Sequence, residues 1–281
     1  VVDERRHLVG VTSLRRLLLV SPETPLKRIM TPEVTSVRVD TDQEEVARLV
    51  ASYNLLAVPV VDEENKLVGI VTVDDVIDVI KDEASEDLLR LAGVSGDERI
   101  ATPAGESLRK RLPWLAINLG TAFVAASVVA LFEGTIQQVT ALAIFMPIVA
   151  GMGGNAGTQT LTVVVRALAL GELSWESARK AVMKEAVVGL GNGIALGIVA
   201  AGIAWFLQGE PMIGMLLGMA MVVNMFVAAT AGTLVPLGLK ALKIDPALAS
   251  AVFITTFTDV VGFASFLGLA TVFLRYLVTV Q

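Results

Sequence analysis

Hydrophobic and polar positions follow two different patterns along this chain. From about residue 112 onward the apolar residues form long runs, at about 112–132, 139–170, 182–207, 212–239 and 247–274. About 20 apolar residues in a helix cross the hydrocarbon core of a bilayer, so the pattern predicts five spanning helices with short connections. Ahead of these runs the pattern is short-ranged. Residues 34–39 read as a strand, Gln43–Tyr53 as an amphipathic helix, and Leu14–Leu19 and 73–80 as two further helices. The expected fold is multi-domain: an α/β module followed by an all-α, five-helix transmembrane domain.

The α/β module carries an internal repeat. Val1-Val2-Asp3-Glu4 followed by Leu8-Val9-Gly10 returns as Val60-Val61-Asp62-Glu63 followed by Leu67-Val68-Gly69, a shift of 59 residues. Each copy reads as strand, charged turn, strand and helix. The second copy is preceded by a further strand and helix, and the first is not. The chain is therefore expected to begin partway through a tandem repeat.

Charge divides the chain near residue 105. Residues 1–105 carry a formal charge of −8 and residues 106–281 carry +2. The short connections are asymmetric: Arg109, Lys110 and Arg111 precede the first run, Arg179, Lys180 and Lys184 follow the second, and Lys240 and Lys243 follow the fourth. The opposite connections, around Glu133 and Glu210, hold no Lys or Arg. By the positive-inside rule the acidic module is cytoplasmic and the C-terminus outside. The absence of cysteine excludes disulfides and thiolate metal sites, and the lone His7 argues against a histidine-built transition-metal site. No nucleophile–base pair, P-loop or zinc motif is visible, so the expectation is not an enzyme, and nucleic acid is not among the expected partners.

Asp259 is the one acidic residue in the last run. An aspartate at mid-bilayer costs about 2.5–3.5 kcal/mol on insertion scales, so it is expected to face a cavity and carry a function, the alternative being a protonated carboxyl that hydrogen-bonds a neighbouring helix. Helical spacing sets Thr255, Thr256 and Gly262 beside it. A carboxylate with hydroxyls suits hard cations such as Mg²⁺, Ca²⁺ or Mn²⁺, and one carboxylate suffices for outer-sphere contact with a hydrated Mg²⁺. Two copies across a dimer axis would neutralise one divalent ion. In the second run, Gly151, Gly153, Gly154 and Gly157 follow Pro147 and are expected to interrupt the helix at depth, with Asn155, Thr158 and Gln159 adding side-chain oxygens. Gly189, Gly193 and Gly197 mark close helix packing, either within one subunit or across a dimer.

A second acidic feature lies before the membrane runs. Asp74, Asp75, Asp78, Asp82, Glu83, Glu86 and Asp87 are opposed there only by Lys81. Positions 74, 78, 82 and 86 share one helical stripe. Like charges at that spacing repel by about 0.2–0.5 kcal/mol per pair, and bridging divalent ions reverse the sign. Residues 82–92 read as a helix ended by Gly93.

Three segments, KRLPWL at 110–115, PIVAGMGGNAGTQ at 147–159 and TTFTDVVG at 255–262, resemble the bacterial MgtE magnesium channels. The 59-residue repeat looks like a CBS pair. The resemblance implies a CBS-type regulatory module at 1–81 (first repeat truncated, second about 22–81), a connecting plug helix and linker at 82–108, and a transmembrane domain at 109–281. It implies a homodimer in the cytoplasmic membrane with a pore on the dimer axis, lined by Thr255, Thr256, Asp259, Gly262, Gly154, Asn155 and Gly157. Asp259 would hold hydrated Mg²⁺, with Mn²⁺, Co²⁺ and Ca²⁺ as further candidate ions. Asp75, Asp78, Asp82, Glu83, Glu86 and Asp87, with Glu44, are the implied sensor that closes the pore when cellular Mg²⁺ is high. The family's amino-terminal helical domain has no counterpart here, so sensor sites drawing on it are expected to be incomplete. CBS pairs often bind adenine nucleotides through Gly-x-x-Thr-x-x-Asp, and Gly69, Thr72 and Asp75 keep that pattern, whereas the first copy has Ser13 and Arg16. ATP is the expected nucleotide.

The expected function is thus Mg²⁺-selective transport gated by intracellular Mg²⁺. A proton- or sodium-coupled divalent cation transporter, and a non-conducting membrane sensor of Mg²⁺ or nucleotide, are the alternatives. Magnitude constrains the gate. Moving a two-state equilibrium from 1:99 to 99:1 needs about 5.5 kcal/mol, and one site at ten times its dissociation constant supplies about 1.4 kcal/mol. Several ions must act together.

Overall fold

Val37, Val46, Ala47, Val50, Val58 and Val76 converge into one small core, because strand and helix periodicities each turn their valines inward. The structure, a computed structural model, describes residues 1–248, 251–274 and 276. Contacts divide it into two units, Val1–Ser85 and Glu86–Gln281.

The first unit opens with two short helices, α1 (Leu14–Leu19) and α2 (Leu26–Ile29). A three-stranded sheet follows, of β1 (Val37–Arg38), β2 (Ala57–Val61) and β3 (Leu67–Thr72), in the order β1-β2-β3. β1 runs parallel to β2, with Val37 opposite Val60, and β2 antiparallel to β3, with Val58 opposite Val71. The crossover between β1 and β2 is α3 (Gln43–Tyr53). Its first turn is capped by Asp42, whose carboxylate accepts from the Glu44 amide at 2.9 Å, and it ends at Asn54 in the left-handed region.

The repeat is visible in hydrogen bonds. The Asp3 carboxylate accepts from the amides of Arg5 and His7 at 2.9 and 2.8 Å, and the Asp62 carboxylate accepts from Glu64 and Lys66 at 2.9 and 2.8 Å. Arg6 and Asn65 occupy the same place in the two turns, and both have positive φ. The two turns also pair with each other, through Leu8 N to Asn65 O at 3.0 Å and Leu67 N to Arg6 O at 2.9 Å. One difference from the sequence expectation is that the first copy contributes single bridges, Val2 with Leu8 and His7 with Lys66, in place of full strands. Another is that the helices expected at 73–80 and 82–92 are one helix, α4 (Val73–Leu91), since no breaker separates them.

In the second unit, five helices are long and apolar enough to cross a membrane: α5 (Ala104–Ala130), α7 (Ala141–Ala169), α8 (Trp175–Gln208), α9 (Pro211–Ala241) and α10 (Ala251–Val272). A short α6 (Glu133–Gln138) lies between the first two. α9 is the most enclosed of the five, and Phe145, Leu216, Leu217, Met221 and Phe266 form the centre of the bundle around it. Gly189, Gly193 and Gly197 settle their role here. A Cβ on Gly193 would lie 2.8 Å from the Val222 Cα, and one on Gly197 would lie 2.8 Å from the Gly218 carbonyl oxygen, so the stripe seats α8 on α9 within the chain.

The expected break in the second apolar run does not occur. α7 passes through Pro147 and all four glycines as a single helix. Four glycines weaken a helix by about 4 kcal/mol relative to alanine, but Gly153, Gly154 and Gly157 are buried and their missing side chains admit α9 and α10 at close range. Packing outweighs local propensity at this turn.

Candidate functional site

α10 presents Asp259 eight residues after Ala251, about 12 Å along the helix axis. Thr255, Thr256 and Asp259 share its partly exposed side, while Thr258 and Gly262 are buried. The hydroxyls of Thr255 and Thr256 both donate to the Val252 carbonyl, at 3.0 and 2.7 Å. Their hydrogens are thereby committed to the helix, and oxygen lone pairs join the carboxylate on the same side. Such a face accepts hydrogen bonds, which is what the water shell of a hard cation offers.

α7 approaches this helix through its glycines. A Cβ on Gly154 would lie 3.1 Å from the Thr255 methyl, and one on Gly157 would strike Ile254. Gly154, Gly157 and Gly262 are thus brought together at the α7–α10 seam, and Asn155 lies exposed outside it. Among the described residues, Asn224 and Glu185 are buried polar residues of the bundle that the sequence reading did not single out. Asn224 on α9 is fully buried and donates from Nδ2 to the Val149 carbonyl at 2.8 Å. Glu185 on α8 is buried and accepts from Lys184 Nζ at 2.6 Å and from the Thr160 hydroxyl at 3.4 Å. Each interrupts an apolar run, the one signal that marked Asp259.

The end of α4 meets the bundle through a collar of ion pairs. Arg90 pairs with both Glu86 and Asp245, and Leu91 packs with Leu161, Val165, Ala247 and Ile254. Gly93 stops the helix with φ +72°, and the Val94 amide returns to the Leu89 carbonyl at 2.8 Å. No other residue suits Gly93, since a Cβ there would run into the Trp114 indole. Trp114 in turn stands edge-on to Phe253, with ring centroids 5.8 Å apart. A cavity of about 400 Å³ opens here, lined by Glu86, Arg90, Asp97, Lys110, Trp114 and Leu248 among others. Beside it, the Ser95 hydroxyl and the Lys110 ammonium hold the Asp97 carboxyl down to about 2. The Arg111 guanidinium, at 2.5 Å, holds buried Glu98 below the usual carboxylate range.

The acidic candidates on α4 are spread along it. Asp75, Asp78 and Asp82 are exposed, Glu83 accepts from Gln43, and Asp87 is partly buried. Glu44 pairs with Arg48 on α3 at 3.3 Å. Among the described residues, no three His, Asp or Glu side chains converge as metal ligands. The reason is geometric: helical neighbours at four-residue spacing stand 5–6 Å apart along the axis, so an ion needs a second surface to complete its shell. In the candidate nucleotide pattern, Gly69 has open space around it and the Thr72 hydroxyl donates to Asp75 at 3.0 Å, across the junction of β3 and α4.

Residues 146–269 match the family model for the MgtE divalent cation transporters, and residues 26–82 match the CBS domain. The magnesium transporter MgtE of Thermus thermophilus is 42% identical over 98% of this chain and 61% of its own length. That of Bacillus subtilis is 39% identical over 99% of this chain and 61% of its own length. A crystal structure of the cytosolic domain of the Mg²⁺ channel MgtE in complex with ATP is 62% identical over 28% of this chain and 32% of that one, with a TM-score of 0.27. The chain spans about three fifths of the length of these curated relatives. A CBS-type domain followed by five long apolar helices, in a sequence this close to these relatives, places the chain in the MgtE family of divalent cation transporters.

Proposed function

We propose that this chain conducts Mg²⁺ across the cytoplasmic membrane and that intracellular Mg²⁺ closes the path. The single observation that carries the reading is Asp259, a partly exposed carboxylate beside threonine hydroxyls within a membrane helix. A charge at that depth is retained where it meets a cation. The exposed side of α10 needs a second wall, and a second copy of the chain supplies it, pairing two Asp259 carboxylates around one hydrated divalent ion. Lys and Arg at the connections next to α5, α8 and α9 orient the CBS unit toward the cytoplasm. The C-terminus, expected outside, lies beyond the described residues.

Regulation is assigned to the acids of α4. Asp75, Asp78, Asp82, Glu83, Glu86 and Asp87, with Glu44 on α3, form sites when a facing acidic surface shares their ions, and α4 from residue 82 onward acts as the connecting segment. Gly69, Thr72 and Asp75 form the nucleotide site, with ATP as ligand; an equilibrium titration without saturable binding would remove it.

Mg²⁺ influx into proteoliposomes tests the reading. Influx by the parent that is suppressed by Mg²⁺ on the CBS side supports it. Influx requiring a proton or sodium gradient would replace the channel with a coupled transporter. A ligand-dependent change in the CBS unit with no influx would leave a sensor.

A further inference from the structure

Asn224 is a buried polar side chain on α9 whose contacts reach both α7 and α10. Its Nδ2 donates to the Val149 carbonyl on α7 at 2.8 Å. A Cβ on Gly153 would collide with the same amide, and a Cβ on Gly262 would lie 2.7 Å from it. The amide therefore fills a notch that two absent side chains leave, one on each helix. The Val149 carbonyl belongs to the turn containing Gly151, Gly153 and Gly154, the stretch of α7 with the weakest intrinsic hold on helical geometry. Gly262 is three residues from Asp259 on α10. The Asn224 Oδ1 is buried without a hydrogen-bond partner among the described residues. That is a cost which an apolar residue of equal shape would avoid.

We propose that Asn224 is a positioning residue. Its amide clamps the glycine turn of α7 in helical form and holds the Gly262 turn of α10 against it, so that the placement of Asp259 depends on a side chain outside the ion path. The effect on ion transport rests on the reading of Asp259 as a pore residue; the clamp itself does not.

Two variants separate the clamp from simple space-filling. Asn224→Leu keeps the volume and removes the hydrogen bond. The double variant Asn224→Ala with Gly262→Ala removes the amide and returns a methyl group to the notch. The first measurement is amide hydrogen exchange across residues 150–157 in detergent. The expected result is at least tenfold faster exchange in both variants, with the thermal midpoint of Asn224→Leu at or above that of the parent. Exchange at the parental rate in either folded variant would overturn the clamp. The second measurement is the ratio of Mg²⁺ to Ca²⁺ influx in proteoliposomes, expected to fall several-fold in both. Faster exchange with an unchanged ratio would overturn the link to Asp259. Absence of Asp259-dependent influx in the parent would instead remove the channel reading, and exchange would still decide the clamp.

Discussion

Arg90 and Asp245, 155 residues apart in sequence, form an ion pair that ties the last turn of α4 to the connection leading into α10. Arg90 holds Glu86 at the same time, and Leu91 beside it enters the cluster that includes Ile254. The segment from Glu86 to Leu91 is therefore fastened to the connection into α10 and to the cluster that holds Ile254. Both partners are about one-third exposed, so the pair contributes only about 1 kcal/mol. That is small for stability and useful for a switch that several weak ions must drive. Asp245→Arg is expected to shift the Mg²⁺ concentration that half-suppresses influx by a few-fold. The exchange Arg90→Asp with Asp245→Arg should recover part of the shift. Equal midpoints in all three proteins would exclude a role for the pair in gating.

Asp259→Asn keeps the shape of the side chain and removes its charge. Influx should fall at least tenfold while the thermal midpoint in detergent stays level or rises, because a charge in the bundle has been replaced by an amide. A loss of folding in place of a loss of influx would mark Asp259 as a structural residue.

Gly157 is a packing position. Valine there puts methyl groups into the space of Ile254, and overpacking of this kind costs about 1–3 kcal/mol. The variant should melt several degrees lower, whereas Gly151→Ala, which meets no atom within 4 Å, should be neutral or stabilising. Equal melting of the two variants would contradict the seam described between α7 and α10.

The pH response of the collar follows from Asp97. Its carboxyl lies at about 2 in the folded chain, held first by Ser95 and then by Lys110, against 3.8 for an unperturbed side chain. A lowered carboxylate contributes stability that is complete above its unfolded value and is lost as pH falls through the folded value. Trp114 emission, followed with Trp175 and Trp205 replaced by phenylalanine, should hold steady from pH 7 to about 4.5 and change between about 4 and 2. Asp97→Asn should reduce that change, with Glu98, also held low by Arg111, supplying the remainder. A transition near pH 6 would require a different titrating group.

The five membrane helices, the 59-residue repeat and the isolation of Asp259 were legible in the sequence, because each depends on local pattern alone. Twenty apolar residues have few alternatives to a spanning helix, and an Asp that caps one charged turn caps its repeat in the same way. Tertiary structure decided the remainder. Local propensity predicts a broken α7, yet Asn224, Thr255 and Ile254 pack into its glycine notches and the helix continues. Asn224 and Glu185 stand in apolar runs like Asp259, but only their neighbours show that both are enclosed by the bundle and hydrogen-bonded across helices. The Arg90–Asp245 pair joins residues that no spacing rule connects. Composition and period act within a few turns of the chain, whereas burial and hydrogen-bond partners are set by segments that meet only after folding.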